Sequence, residues 1–273
     1  MTTLDPDHDA EAAERSAAAS PTPPGTQTLI RGLRVLEAMA GQARPIGVGD
    51  LSRQLDMPKS TVQRLLKTLA QEGWAQTSSE PTTRWQLSPR LAALSSGDSL
   101  ANGLRGAALP HLTALGAQTQ ETIHFVVPDR DVQLVLIDRV DSTHPIRSFN
   151  DLGATTGFHT SAGGKAFMAA LPDDELQRFL DRPLEKVMPN TITDPQQLLH
   201  QVLEARRNGY AVNISENREH VCAIGAAVVN RAGRPVACVV ISMPDIRFEP
   251  SLVSEWGEWV RDTARAIGRN LPH

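Results

Sequence analysis

The sequence predicts an α+β chain in two parts: an N-terminal winged helix-turn-helix, then linker helices, then a larger domain on an antiparallel sheet. Three observations carry that expectation. Between Gly49 and Leu69 the segment GDLSRQLDMPKSTVQRLLKTL holds two short apolar patterns, Leu51 with Leu55 and Val62 with Leu65, Leu66 and Leu69, separated by a proline. Beyond residue 118, β-branched runs bounded by turn residues alternate with helical patterns, as a mixed fold requires. At 273 residues and 40% hydrophobic content, the chain can fill one small core and one larger one.

Taken in order, residues 1–25 are acidic and rich in Ala and Pro, with too little apolar surface to fold alone, and read as a disordered tail. Residues 26–88 form the winged domain. Leu29, Leu33, Leu36 and Ala40 make an amphipathic helix that completes a three-helix unit. Pro58 suits a helix start, because its missing N–H has no partner to lose there, so the second helix of the motif begins at about Pro58. Glu72-Gly73 ends it. Trp74 to Thr77 and Arg84 to Leu87 then alternate like strands around a Ser-Ser-Glu-Pro-Thr-Thr turn, which is the wing.

With its apolar stripe turned inward, the second helix presents Lys59, Ser60, Thr61, Gln63, Arg64 and Lys67 outward, all hydrogen-bond donors and none negative. Such a face suits double-stranded DNA, although an ordinary solvated face or a protein-binding one has the same composition. Charge favours DNA: residues 26–90 hold nine Lys or Arg against five Asp or Glu, in a chain whose net charge is −4. Ser60, Thr61, Gln63 and Arg64 are placed nearest the bases, Lys59 and Lys67 on phosphates, and Arg84 on the backbone or in the minor groove. The pI of 6.1 argues against wholesale coating of nucleic acid and fits a basic face confined to one domain.

Residues 89–117 are the interdomain helices. Ser88-Pro89 opens the first, with Leu91 and Leu94 on its stripe; Gly97, Gly103 and Gly106 interrupt it, placing a hinge near Gly97, and Leu104, Leu109, Leu112 and Leu115 resume on a second helix. Residues 118–273 follow. Thr122 to Val127 and Val132 to Ile137 flank a Pro-Asp-Arg-Asp turn, Ile146 to Phe149 reads as a further strand, and a small-residue loop from Gly157 runs into a helix. Leu198, Val202 and Ala205 mark a helix ending near Asn208-Gly209. Strands at Tyr210 to Ile214, Val221 to Val229 and Pro235 to Ser242 come next, then a helix from Leu252 to Leu271.

Several function classes are disfavoured. The loop containing Gly163-Gly164-Lys165 is not a nucleotide P-loop, because His159 and Ala166 occupy the positions that need Gly and Ser or Thr. Its amides could still hold an anion, with Lys165 either beside the ligand or facing solvent. There is no Gly-x-Ser-x-Gly elbow, and Ser161 with His159 lacks a third orienting group, so no enzyme is expected. Cys222 and Cys238 form no Cys-x-x-Cys and read as reduced core thiols; neither a metal nor a cofactor is expected. No apolar run is long enough to span a membrane and the N-terminus is no signal peptide, so the expected location is the cytoplasm.

From Leu29 to Leu271 the chain resembles the IclR family of bacterial transcription regulators. The carriers are Leu51-Ser-Arg-Gln-Leu with Pro58-Lys-Ser-Thr-Val-Gln-Arg-Leu-Leu, Thr122-Ile-His-Phe, Asp138-Arg-Val, His159-Thr-Ser-Ala-Gly-Gly-Lys-Ala and Asn190-Thr-Ile-Thr-Asp, in that order. The resemblance implies a GAF-like effector domain after the winged helix-turn-helix and assembly with itself as a dimer or dimer of dimers. It further implies a palindromic operator and a small-molecule effector, often an organic acid or aromatic catabolite, that alters operator binding; repressors and activators both occur. The effector positions it implies are Ala162 and Gly163 in the loop, with Asn213, Ala223 beside Cys222, Val240 and Ser242; the neighbouring loop residues Ser161 and Gly164 are candidates beside them. Asn213 stands where the family has an acid, Ala223 where it has a cysteine and Val240 where it has a serine. A pocket so depleted of polar partners suits a larger, partly aromatic molecule better than a two-carbon acid.

Overall fold

A computed structural model describes residues 24–42, 44–79, 83–91, 100–129 and 133–271. Most of the N-terminal tail, the tip of the wing at 80–82, the hinge near Gly97 with Leu94, and part of the Pro-Asp-Arg-Asp turn lie outside those residues. The chain divides into two compact units between Ala93 and Leu94.

The first unit contains α1 (Pro24–Ala40), α2 (Val48–Gln54), α3 (Lys59–Gln71), β1 (Ala75–Ser79) and β2 (Thr83–Leu87). Leu51, Val62 and Leu66 are wholly buried and share one cluster with Leu65, Val35, Met39, Ile46 and Trp85, so the stripes on α2 and α3 do meet. The turn between them is set by Asp56, whose φ of 49° lies in the left-handed region that Asp tolerates better than most residues. Ser52 Oγ donates to the Met57 carbonyl at 2.6 Å and closes the corner. Pro58 caps α3 rather than opening it, its carbonyl accepting from Thr61 and Val62.

Two features of this unit differ from the sequence-based expectation. On α1 the buried residues are Val35, Ala38 and Met39, while Leu29 and Leu33 are 63% and 49% exposed. Apolar residues occupy two faces of this helix, and the fold buries the one whose Met39 enters the same cluster as Ile46. The wing also gains a short third partner: Ile46 and Trp85 exchange two backbone hydrogen bonds of 2.8 Å outside the β1–β2 ladder.

The second unit is a six-stranded antiparallel sheet, order β5-β4-β3-β8-β7-β6, from β3 (Thr122–Asp129), β4 (Gln133–Val140), β5 (Thr155–Gly157), β6 (Ala211–Ile214), β7 (Val221–Val229) and β8 (Pro235–Pro244). One face carries α4 (Leu100–Thr119) and α8 (Val253–Asn270), which bury Leu104, Leu112, Leu115, Val260 and Ile267 against Ile123, Phe125, Ile224, Val239 and Ile241. The other carries α5 (Ala162–Ala169), α6 (Asp173–Leu180) and α7 (Pro195–Asn208) over Val126, Leu134, Ala223, Cys238 and Val240. Strand alternation therefore divides each central strand between two cores. Asp194 caps α7, with Pro195 at its first turn, and Gly209 ends it at φ 82°.

Within this unit α4 runs unbroken through Gly103 and Gly106, where the sequence suggested an interruption, and also through Pro110. Its buried face, packed on the sheet through Leu104, Ala108, Leu112 and Leu115, outweighs the poor local propensity. Residues 146–149 form no strand; the added strand is β5, and the 146–150 segment has its carbonyls taken by side chains instead of a ladder. Helix α6, with an acidic first turn and Leu176, Phe179 and Leu180 buried, was not anticipated from the sequence.

Candidate functional site

On α3, Lys59, Ser60, Gln63, Arg64 and Lys67 are exposed and Thr61 is half-buried, because Val62, Leu65 and Leu66 occupy the inner face. Among the described residues no carboxylate pairs with Lys59, Arg64 or Lys67, so their charges face water. Arg84 is exposed on β2 and lends one guanidinium N–H to the Pro45 carbonyl at 3.3 Å, which steadies the wing base. Asp50, the acidic residue at the first turn of α2, is engaged by Arg53 at 2.5 Å.

In the second unit, the α5–α7 face of the sheet encloses a cavity of about 330 Å³. Ser161, Ala162, Gly163, Asn213, Ala223, Val240 and Ser242 all line it, brought from α5, β6, β7 and β8 to one place. Gly225 lets α5 approach this closely: a Cβ there would fall 2.9 Å from the Gly163 nitrogen and 3.0 Å from the Ala162 carbonyl carbon.

Two expected residues do not line the cavity. Cys222 precedes Ala223 on β7, so its side chain turns to the opposite core with Ile224. Gly164 packs against the Phe158 backbone, where a Cβ would lie 2.1 Å from the carbonyl oxygen, and its N–H is spent on the Ser161 cap at 3.1 Å. Lys165 neither touches the cavity nor faces solvent. It is wholly buried, with Nζ 2.6 and 2.9 Å from the Glu216 oxygens and 2.6 Å from Gln201 Oε1. Burial pulls its ammonium down from the usual lysine range, and Glu216 opposes that pull.

The polar groups of the site are mostly committed. Ser161 Oγ accepts from Gly164 and donates to the Gly157 carbonyl at 2.9 Å, so it is a helix cap and not a nucleophile. His159 Nε2 contacts the Glu185 carbonyl at 3.0 Å, away from Ser161. Asn213 Nδ2 donates to the Thr160 carbonyl at 2.5 Å, and Ser242 Oγ donates to Ser148 Oγ at 2.8 Å. Cys238 is buried, holds Gly163 through its thiol at 3.1 Å, and desolvation pushes it well above the usual thiol range.

Further residues reach the cavity without any signal of spacing: Ser148 and Asn150 from the irregular segment, and Asn217 and Arg218 from the β6–β7 loop. His124 is the one strand periodicity could have placed, since it shares a face with Val126 on β3. The 146–150 segment is strapped down by side chains. Arg247 donates to the Ile146 carbonyl at 2.9 Å while forking onto Glu121 at 2.5 and 2.7 Å. Thr122 Oγ1 holds the Ser148 carbonyl at 3.0 Å, Arg218 the Phe149 carbonyl at 3.0 Å, and Arg139 the Asn150 carbonyl. Apolar Val126, Leu134, Leu136 and Val240 line the wall as well, together with Ala154, Thr155, Thr156 and Val221. Burial and the Arg139 charge lower the His124 pKa to about 4, so its imidazole is neutral at pH 7.

A three-helix winged unit with a donor-rich helix, joined to a sheet domain that holds a small-molecule cavity, defines a ligand-responsive DNA-binding regulator. The comparisons agree. Residues 28–79 match the family described as IclR helix-turn-helix domain, and residues 100–269 match Bacterial transcriptional regulator IclR C-terminal. The chain belongs to the IclR family: it is a DNA-binding transcription regulator with a C-terminal effector-binding domain, and not an enzyme.

Relatives include the transcriptional repressor IclR of Escherichia coli, 28% identical with 92% of each chain covered, and the regulator BhcR of Paracoccus denitrificans, 30% identical over 89% of this chain and 86% of that one. Among solved structures, IclR of Thermotoga maritima matches with a TM-score of 0.72 at 25% identity, covering 91% of this chain and all of that one. An IclR homologue of Microbacterium hydrocarbonoxydans complexed with 4-hydroxybenzoate shares the fold, with a TM-score of 0.73 at 22% identity over 89% of this chain and 98% of that one. Among the described residues, no helix is long and apolar enough to cross a membrane.

Proposed function

We propose that the regulator acts in the cytoplasm as a dimer or dimer of dimers on a palindromic operator, with α3 of each copy in the major groove. Ser60, Thr61, Gln63 and Arg64 read base edges, Lys59 and Lys67 meet phosphates, and Arg84 follows the backbone or minor groove. The exposure of these donors beside a buried Val62, Leu65 and Leu66 face supports the assignment. Two such helices engage half-sites roughly 34 Å apart or a multiple of that.

The effector of this reading is a small monocarboxylate with an apolar or aromatic body, bound in the cavity of the second unit. One observation carries it: among the described residues, the lining includes one side-chain cation, Arg218, and no carboxylate. The Phe149 carbonyl uses one guanidinium nitrogen of Arg218, and its remaining N–H groups take no protein acceptor among the described residues. At about 330 Å³ the cavity sits at the small end of ligand sites, which span roughly 300–1,000 Å³, and its apolar wall matches a single ring or a short branched chain. Occupancy reaches α4 through β3, whose His124 and Val126 face the cavity while Ile123 and Phe125 lie under α4.

The test is a mobility shift of the full chain on its own upstream intergenic DNA at two salt concentrations, with a panel of aromatic and aliphatic acids. A salt-sensitive complex altered by one acid, and no longer altered in Arg218→Gln, is the expected result. A response carried equally by neutral amides of the same acids would overturn the monocarboxylate assignment.

A further inference from the structure

Among the described residues, one buried side-chain polar atom is left without a hydrogen-bond partner, and its residue lines the cavity wall. Ser242 is matched by Ser148, and Asn213 by Thr160 and Glu216. His124 is not: it lies on β3 in register with Val240 and Arg139, is 7% exposed, and its Nε2 is buried with no hydrogen-bond partner. Leaving such a nitrogen unmatched is costly, and a packed apolar residue would fill the same strand position without that cost.

Resting on the acid-effector reading above, we propose that His124 is the specificity-determining residue of the cavity, and that the effector carries a second polar group, a hydroxyl or carbonyl, which pairs with this imidazole. The effector is thereby a hydroxy- or oxo-substituted monocarboxylate and not an unsubstituted one. A neutral imidazole offers one N–H and one bare nitrogen, so it pairs with a hydroxyl or a carbonyl equally well. The torsion between the imidazole and its Cβ is broad, so a modest turn of the ring reaches a ligand in the cavity it lines. Arg139, its cross-strand neighbour, is already engaged with Asp141 and the Asn150 carbonyl, and Arg218 serves the carboxylate. Asn150, Thr155, Thr156 and Asn217 also line the cavity but are half-buried or exposed, and the Ser148–Ser242 hydrogen bond is internal, so His124 is the lining residue with a buried unmatched nitrogen.

The experiment is calorimetric titration of the full-length protein with two matched pairs, benzoate against 4-hydroxybenzoate and butyrate against 3-hydroxybutyrate, in wild type, His124→Leu and His124→Asn. In wild type the hydroxylated member of at least one pair binds about tenfold tighter, the factor one ordinary hydrogen bond supplies. His124→Leu brings that ratio near one, and His124→Asn, which keeps a donor and an acceptor, restores part of it. The melting temperature of ligand-free His124→Leu is no lower than that of wild type, because the unmatched nitrogen is gone; a residue kept for structure alone gives a fall. An unchanged ratio in His124→Leu, or a destabilised variant losing both members alike, overturns the assignment. Equal binding of both members by wild type sinks the His124 assignment while sparing the acid reading; binding of none of the four acids sinks both.

Discussion

Replacing Lys165 by Met tests whether the ion pair under α5 is a structural requirement of the effector domain. Lys165 is fully buried and Glu216 is 6% exposed, and all three ammonium N–H groups are used, two on the carboxylate and one on Gln201. Removing one partner of a buried pair strands the other charge, at a cost of about 3–5 kcal/mol. Lys165→Met is therefore expected to destabilise this domain by that amount, and Glu216→Leu by a similar one. Together they leave no stranded charge, so the double variant is expected within about 1 kcal/mol of wild type. Urea unfolding of the full chain, followed by tryptophan fluorescence, gives the cycle, because Trp256 and Trp259 report on α8. A single-variant loss below about 1 kcal/mol, or a double variant as unstable as the singles combined, would refute the reasoning.

Arg64→Ala costs about 1–3 kcal/mol on the cognate operator and little on random DNA, whereas Lys67→Ala weakens both alike and lowers the salt slope by about one; equal losses from both variants on all DNA remove Arg64 from base reading. Because the folded pKa of His124 lies at about 4, below its unfolded value of 6.5, the unfolded chain binds the extra proton first. Stability from this group is intact above pH 6.5 and is lost as pH falls toward 4, by on the order of 3 kcal/mol; a pH scan of unfolding free energy should lose that slope in His124→Leu. Gly164→Ala places a Cβ on the Phe158 carbonyl oxygen, so the protein should melt far lower; a melting temperature within a few degrees of wild type contradicts the packing described.

The sequence determined what depends on neighbours along the chain. The α2–α3 stripes, strands β7 and β8, and the end of α7 near Gly209 all follow from local periodicity and turn chemistry, and the structure has them within a residue or two. Motif order was enough to place the family. Tertiary structure decided which way side chains face and what meets across long separations. Periodicity put Leu29, Leu33, Leu36 and Ala40 on the apolar stripe of α1, and the cluster around Met39 and Ile46 buries Val35, Ala38 and Met39 instead. A shift of one residue on β7 separates Ala223, at the cavity, from Cys222 in the other core. The position of Lys165 in the loop motif reads as a ligand or surface lysine, and the partner that buries it, Glu216, lies 51 residues away. The unmatched nitrogen of His124 exists only because Ser148, Val240 and Ser242 converge around the same cavity from distant segments, and burial is a property of that convergence, which no local pattern encodes.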